Sequence, residues 1–501
     1  VGWLKDMATK TAIKLLNIQP AIDREITIKE PLGFNGNIMK NRIWYRGEPS
    51  ELDQFFKKTA NDLVSKSRFW AAVPSSDFNV RKVHSGIPAM IAERLADIVV
   101  ADMDKIELDT EELTNLWTDI SKDNHFNKLI GESIIETLVA GDGAFKITVD
   151  TDITTNPIIE YYSGERVEYK FKRGRLSEVH FLTDYSKDNS TYTLIEIFGK
   201  GYIINKLTNS RGQEVPLNTL DETIELEDIT YEGDFLMSVP MMFFKSPKWL
   251  GRGKSIFDSK SDSFDALDET ISQWVDAIRD GRVKQYIPES LLPKNPVTGE
   301  IIKSNSFDNK YIAIASSLAE DSQNTIEIQQ PSINYEAYVN TYASNIDMCL
   351  QGIISPATLG IDLKKTDSAE SQREKEKTTL YTRGKIIDVL NEVIPEIVST
   401  VLKANDLLYE RAIGEYTPVI SFGEYSTPSF DTVVETVGKA KSYGIMSTEM
   451  AVDELYGDTM SDEKKAEEVL RIKEENGLMD IEEPATNIDG MNDDVVNEDV
   501  V

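Results

Sequence analysis

Apolar positions recur at helical spacing near the start of the chain, where Ile91, Leu95, Ile98 and Val99 step by three and four. This stripe predicts a helix with Ser85 as its cap and Pro88 in its opening turn. Phe126, Ile130, Ile134 and Leu138 mark a second helix over about 124–140, which Gly141-Asp142-Gly143 must stop. From 143 to about 240 the period falls to two, with Val167, Tyr169 and Phe171 alternating against Glu168, Lys170 and Lys172. Arg173-Gly174 reads as a hairpin turn, and further strands are expected over 175–183, 191–198 and 201–207, closing with Met241-Met242-Phe243-Phe244. One face of such an antiparallel meander is buried and the other wet.

Helical spacing returns over 256–281, at Phe264, Leu267, Ile271, Trp274, Val275 and Ile278, and again over 333–350, at Tyr335, Tyr338, Val339, Tyr342, Ile346 and Leu350. The intervening residues 282–332 carry Pro288, Pro293, Pro296 and Thr298-Gly299, the composition of a small turn-rich strand module. Two helices of this length reach roughly 27–37 Å, so the pattern predicts a stalk with a tip. Residues 351–367 hold two glycines, Pro356 and the pair Lys364-Lys365, and cannot continue either neighbouring helix. A long helix follows over 368–404, polar through Glu370 to Lys377 and apolar at Ile386, Ile387, Leu390, Ile394, Ile397 and Val401, with bends expected at Gly384 and Pro395. Shorter helices are expected at 431–443, 447–457 and 461–476. The fold class is α+β.

Composition narrows the chemistry. The chain has 501 residues, and its net charge of −32, from 54 basic and 86 acidic residues, opposes tight binding to nucleic acid, whose affinity for proteins comes mostly from Lys and Arg. The single cysteine, Cys349, excludes an internal disulfide framework and suits a reducing compartment. No run of about 18 apolar residues suggests a membrane span. Residues 480–501 contain neither Lys nor Arg, and this acidic tail is expected to be disordered. The opening segment from Trp3 to Leu16 is weakly amphipathic and reads as an ordinary terminus.

The chain offers little that could act as a catalytic constellation. Gly251-Arg252-Gly253-Lys254-Ser255 follows a strand, but a phosphate-cradling loop needs another glycine where Lys248 stands, so the stretch reads as a helix start. His84, His125 and His180 lie on different elements without metal-ligand spacing. No enzyme activity, cofactor or metal is expected. Arg279, Arg282 and Lys284, where the stalk enters its tip, are read equally as solvated charges or as a docking surface.

Three stretches and their order resemble the portal proteins of tailed bacteriophages, in particular those of long-tailed phages of Gram-positive hosts. They are Trp44-Tyr45-Arg46-Gly47, Gly141-Asp142-Gly143-Ala144-Phe145-Lys146, and Gly352 to Leu363 followed by Asp367-Ser368-Ala369-Glu370-Ser371-Gln372. The resemblance covers roughly 40–475. It implies a multidomain portal fold: an antiparallel β-rich wing over 1–255 with a return at 405–430, stem helices at 256–281 and 333–350, and a clip at 282–332. It further implies a tunnel loop at 351–367, a long wing-to-crown helix at 368–404 and an α-helical crown at 431–478, with the acidic tail after that. The implied assembly is a homo-oligomer of about twelve subunits at one capsid vertex of the virion, put together in the host cytoplasm. Double-stranded DNA would pass through it non-specifically. The implied partners are the terminase large subunit, then the head-to-tail adaptor, with the major capsid protein and scaffold around the ring and no membrane. On this reading the tunnel loop faces DNA through Ile353, Ser355, Pro356, Leu359, Asp362, Lys364, Lys365 and Thr366, and Arg279, Arg282 and Lys284 dock a partner. Two other readings remain open: a tail or baseplate scaffold without DNA passage, and a phosphate-handling enzyme.

Overall fold

The computed structural model describes residues 32–73, 80–288, 291–292, 294–300, 311–314, 326–361, 369–423, 430–457 and 460–475. They divide into two compact units, the first reaching Gly423 and the second starting at Glu424.

In the first unit a layer of helices comes before the strands: α1 Phe34–Arg46, α2 Pro49–Thr59, the single turn α3 Leu63–Lys66, α4 Ile87–Ala101, α5 Glu111–Asp123 and α6 Phe126–Ala140. The apolar stripes forecast for α4 and α6 are buried, with Ile91, Leu95, Val99, Ile130 and Ile134 wholly inside. Ser85 does not cap α4. Its backbone N–H instead donates to Asp268, and Gly86, in a left-handed conformation, takes the cap position ahead of Pro88. At the other end of the layer, α6 stops at Gly141, whose φ of 109° is closed to most side chains.

Two sheets follow. Strands β1 Gly143–Thr148, β2 Ile158–Ser163 and β9 Ser238–Met241 form one, with β1 in the centre and antiparallel to both neighbours. The other is the meander β3 Val167–Lys172, β4 Arg175–Lys187, β5 Ser190–Gly199, β6 Tyr202–Asn209 and β7 Glu214–Val215, with β8 Ile229–Thr230 also on β6. Arg173 and Gly174 both have positive φ, the geometry of the tight hairpin turn expected there. Asp188 and Asn189 repeat it between β4 and β5, which carries those strands beyond their forecast ends. Phe181 of β4 packs edge-on against Tyr162 of β2 at 5.1 Å and against Phe198 of β5 at 5.1 Å, joining the two sheets. β9 ends at Met241, so Phe243 enters the core from irregular backbone and not from a strand.

Helix α7 Ser261–Asp280 leads into a three-stranded sheet of order β11-β10-β12, made by β10 Lys284–Pro288, β11 Tyr311–Ile314 and β12 Glu327–Gln329. β10 is parallel to β11 and antiparallel to β12. The chain returns through α8 Tyr335–Leu350. It then runs on into α9 Ala369–Leu408, which stays helical through Gly384 and Pro395. The apolar half of α9 is buried at Ile386, Leu390, Ile394, Ile397 and Val401. That half completes one continuous core with α1, α4, α6 and the β1 sheet.

The second unit comprises α10 Phe430–Ser442, α11 Thr448–Tyr456 and α12 Asp462–Glu475. The Ser447 hydroxyl accepts from the Met450 N–H to cap α11. Lys465–Asp453 at 2.8 Å and Lys473–Glu449 at 2.7 Å then tie α12 to α11.

Candidate functional site

The feature with the most distinctive geometry is the pair α7 and α8 with its inserted sheet. Three contacts set the two helices side by side and antiparallel. Near the distal end Trp274 stacks on Tyr338 with ring planes 6° apart. In the middle the Asn345 side-chain amide donates to Thr270 Oγ1 at 2.8 Å. At the root Lys260, just ahead of α7, donates to the carbonyls of Met348 and Gln351 at 2.7 and 2.8 Å, satisfying the open end of α8. Burial and Lys254 act to lower the Lys260 pKa, and the net direction is below the ordinary value.

Burial changes sharply along the pair. Phe264, Leu267, Ile346, Cys349 and Leu350 lie in the core, whereas Ile278, Tyr335 and Val339 expose 51%, 63% and 41% of their surface. These are large apolar side chains left open on two adjacent helices, and surface of that kind marks interaction sites where it is continuous. The roots also carry ionisable groups. Asp265 accepts the backbone N–H groups of Phe69 and Trp70 at 2.8 and 3.1 Å, and Asp268 accepts from the Trp70 indole, the Ser85 N–H and a ring nitrogen of His84. Burial raises the pKa of Asp265 despite the two amides that oppose the shift. These acids were missed in the sequence. The readable signal was two aspartates three residues apart on the same stripe as Phe264 and Leu267, a placement that carboxylates take only when donors await them.

Cys349 lies wholly inside this root, and burial pushes its thiol up to about 12. Native protein is therefore expected to resist iodoacetamide until denaturant opens the core. Rapid labelling of the folded chain would contradict the packing described.

The segment after α8 departs from expectation. Gly352, with a φ of 77°, turns the chain back so that the N–H groups of Ile353 and Ile354 both bond to Leu350. A single 3-10 turn over Ala357–Leu359 follows, and Ile361 N–H closes onto the Pro356 carbonyl. Thr379 of α9 accepts the Ser355 N–H at 2.9 Å and shares a hydrogen bond with Thr358. Ile353, Ser355 and Leu359 are buried, and Pro356 is half-buried. Side chains committed to the core cannot face a duplex, so the expected role of Ile353, Ser355 and Leu359 as lining residues is corrected to one of packing. Asp362, Lys364, Lys365 and Thr366 lie outside the described residues. Arg279 occupies the last turn of α7, Arg282 is exposed just beyond it, and Lys284 opens β10 opposite Gln329. Asp276 and Asp280 lie at the same helix end as Arg279.

The glycine-rich stretch 251–255 is not a helix start, since α7 begins only at Ser261. Arg252 grips Asp142 with two hydrogen bonds, at 2.9 and 2.7 Å, and also donates to the Val167 carbonyl. Gly253 N–H donates to the same carboxylate, and the buried Ser255 hydroxyl donates to the Leu138 carbonyl. This network locks the turn between α6 and β1, and its donors are spent on the fold rather than directed at a phosphate. Of the histidines, His84 is a core residue held by Asp268 at 2.7 Å, and His180 lies 3.0 Å from Glu178. His125 precedes α6 with a φ of 49°.

No family model matches the chain, and no curated protein does. A solved structure described as "Neck of native GTA particle computed with C12 symmetry" aligns with 74% of this chain and 89% of that one, at 11% identity and a TM-score of 0.40. A likeness at that TM-score does not establish a shared fold. Among the described residues, no helix is long and apolar enough to cross a membrane.

Proposed function

We propose that the protein is a structural ring subunit of the portal type, a channel at a capsid vertex through which double-stranded viral DNA enters and leaves. The observation that carries this reading is the pair α7 and α8: rooted in the core, laid antiparallel, interrupted by a small sheet, and left with Ile278, Tyr335 and Val339 open to solvent. Neighbouring copies arranged about an axis would cover those side chains with the same elements from the next subunit, as head-to-tail rings do. Their inward faces would then form a passage. The acidic composition favours movement over capture, because phosphate grip scales with the number of Lys and Arg contacts. Within this reading Lys364, Lys365 and Thr366 are the residues offered to DNA, and Arg279, Arg282 and Lys284 offer a docking corner for terminase and later the adaptor.

Electron microscopy of the purified chain tests the proposal. Rings of about twelve copies with an open axial hole wider than a duplex are expected. Rings with a closed centre would instead favour a tail or baseplate scaffold. Ile278→Asp combined with Val339→Asp is expected to leave each chain folded while abolishing rings, since a charge in a packed interface has no partner there. Full assembly by that variant would refute the assignment of the interface.

A further inference from the structure

The large sheet of the first unit ends in opposite charges. β3 is its outer strand on one side, and β7 and β8 lie on the other, both paired with β6 on the side away from β5. At the β3 side Lys170, Lys172, Arg173 and Arg175 are all exposed, and residues 170–175 hold no acid. The loop 245–253 packs beside them, where a Cβ on Gly251 would stand 2.8 Å from the Phe171 ring, and it contributes the exposed Lys245. At the other side, residues 221–234 hold seven acids and neither Lys nor Arg. Asp221 and Asp234 pair with Lys187 and Lys200, whereas Glu222, Glu225, Glu227 and Glu232 are exposed and enter no ion pair among the described residues. The same holds for Lys172, Arg173, Arg175 and Lys245.

Charges at a sheet edge guard it against chance pairing. Here they surround apolar side chains that a guard does not need. Leu250 stands fully exposed in the loop and Phe171 is exposed beside it, while the acidic side shows Ile224 and Ile229. Both surfaces are held in shape. Ser246 Oγ accepts the N–H groups of Lys248 and Trp249, and Trp249 packs edge-on against Phe34 at 5.3 Å. Across the sheet, Asp228 accepts the Asn205 N–H and the Asn205 side-chain amide donates to the Glu227 carbonyl, each at 2.8 Å, which pins the acidic segment to β6. One copy cannot join its own edges, because four strand spacings of hydrogen-bonded sheet, about 19 Å, separate them. A contact between unlike edges of successive copies is heterologous, the kind that closes into a ring. We propose that the β3 edge of one copy, centred on Arg173 and Leu250, docks on residues 221–234 of a second copy, with the cations against Glu225 and Glu227 and Leu250 against Ile224 and Ile229. This surface rests on the ring reading and adds to it a second seam besides that of Ile278 and Val339.

The test uses the full chain with a benzophenone amino acid in place of Leu250, as a mixture of isotope-labelled and unlabelled copies. Irradiation is expected to give adducts on residues 221–234 that join labelled to unlabelled chains, as mapped by mass spectrometry. Arg173→Glu with Arg175→Glu is expected to cut their yield about tenfold, and adding Glu225→Lys with Glu227→Lys to the same chain is expected to restore it, as a reversed charge pair should. All four positions are exposed, so the circular-dichroism melts of the variants should match the parent. Rings in the electron microscope with adducts only elsewhere, or a yield indifferent to the charge reversal, would overturn this surface and leave the ring reading intact. Chains that form neither rings nor adducts would overturn both. Duplex DNA retained by the parent and released by Arg173→Glu with Arg175→Glu, without adducts between copies, would mark the edge as a nucleic-acid surface and overturn the proposal.

Discussion

Asp268→Ala is expected to destabilise the first unit by about 3–5 kcal/mol, the range seen when a buried charged acceptor is removed and its donors stay behind. The variant strands three donors together: the Trp70 indole N–H, the Ser85 N–H and the His84 ring. The indole cannot turn to water, because Asp268 and Trp70 are wholly enclosed, and the His84 ring is packed against Trp44 with ring centroids 5.7 Å apart. The same carboxylate fastens α7 to the strap that leads into α4. Its loss should therefore loosen the root of the helix pair as well as lower stability. A denaturant midpoint that falls at constant slope, with earlier exposure of tryptophan fluorescence, is the expected record. An unchanged midpoint would show that the cluster contributes nothing net. Asp268→Asn, which keeps an acceptor at the same place, should recover part of the loss.

The second large effect concerns Asp142. Asp142→Ala removes the acceptor of two Arg252 hydrogen bonds and of the Gly253 N–H, and a loss of about 3–5 kcal/mol is again expected. Here a double variant is informative. Asp142→Ala with Arg252→Met takes away both charges at once, and it should be more stable than Asp142→Ala alone because no guanidinium is left enclosed without a carboxylate to balance its charge. If the single and double variants have the same midpoint, the pair is not coupled as described. The turn leaves little other freedom for repair. A Cβ on Gly253 would stand 2.0 Å from the Gly141 carbonyl oxygen, so two backbones pass each other there with no room for a side chain.

Helix α6, the hairpin at Arg173-Gly174 and the order helix, small sheet, helix were legible because each depends on a local rule: a stripe, a pair of positive φ angles, a change of period. Residues 351–361 were not. Two glycines and a proline describe a turn well, but whether that turn projects or folds inward depends on Thr379, which is remote in sequence and accepts the Ser355 N–H. The stretch 251–255 misled for a related reason. Gly253 is there for the close passage beside Gly141, Gly251 for a φ of 73° beside Phe171, and Arg252 answers a carboxylate more than a hundred residues earlier. Trp44-Tyr45-Arg46-Gly47, which carried much of the family resemblance, turns out to pack. Trp44 is enclosed by Phe56, His84 and Phe264 and donates to Ser261, and a Cβ on Gly47 would meet the His84 ring at 2.6 Å.

Lys260 bonds to the carbonyls of Met348 and Gln351, so the excursion that leaves the core at α7 comes home to the point where it began. A detour whose two doors share one hinge post does not thread the rest of the molecule. The sheet of β10, β11 and β12 at the far end of the pair is then a cassette: it can lengthen, shorten or be exchanged for another module while the buried roots of α7 and α8 keep their connections.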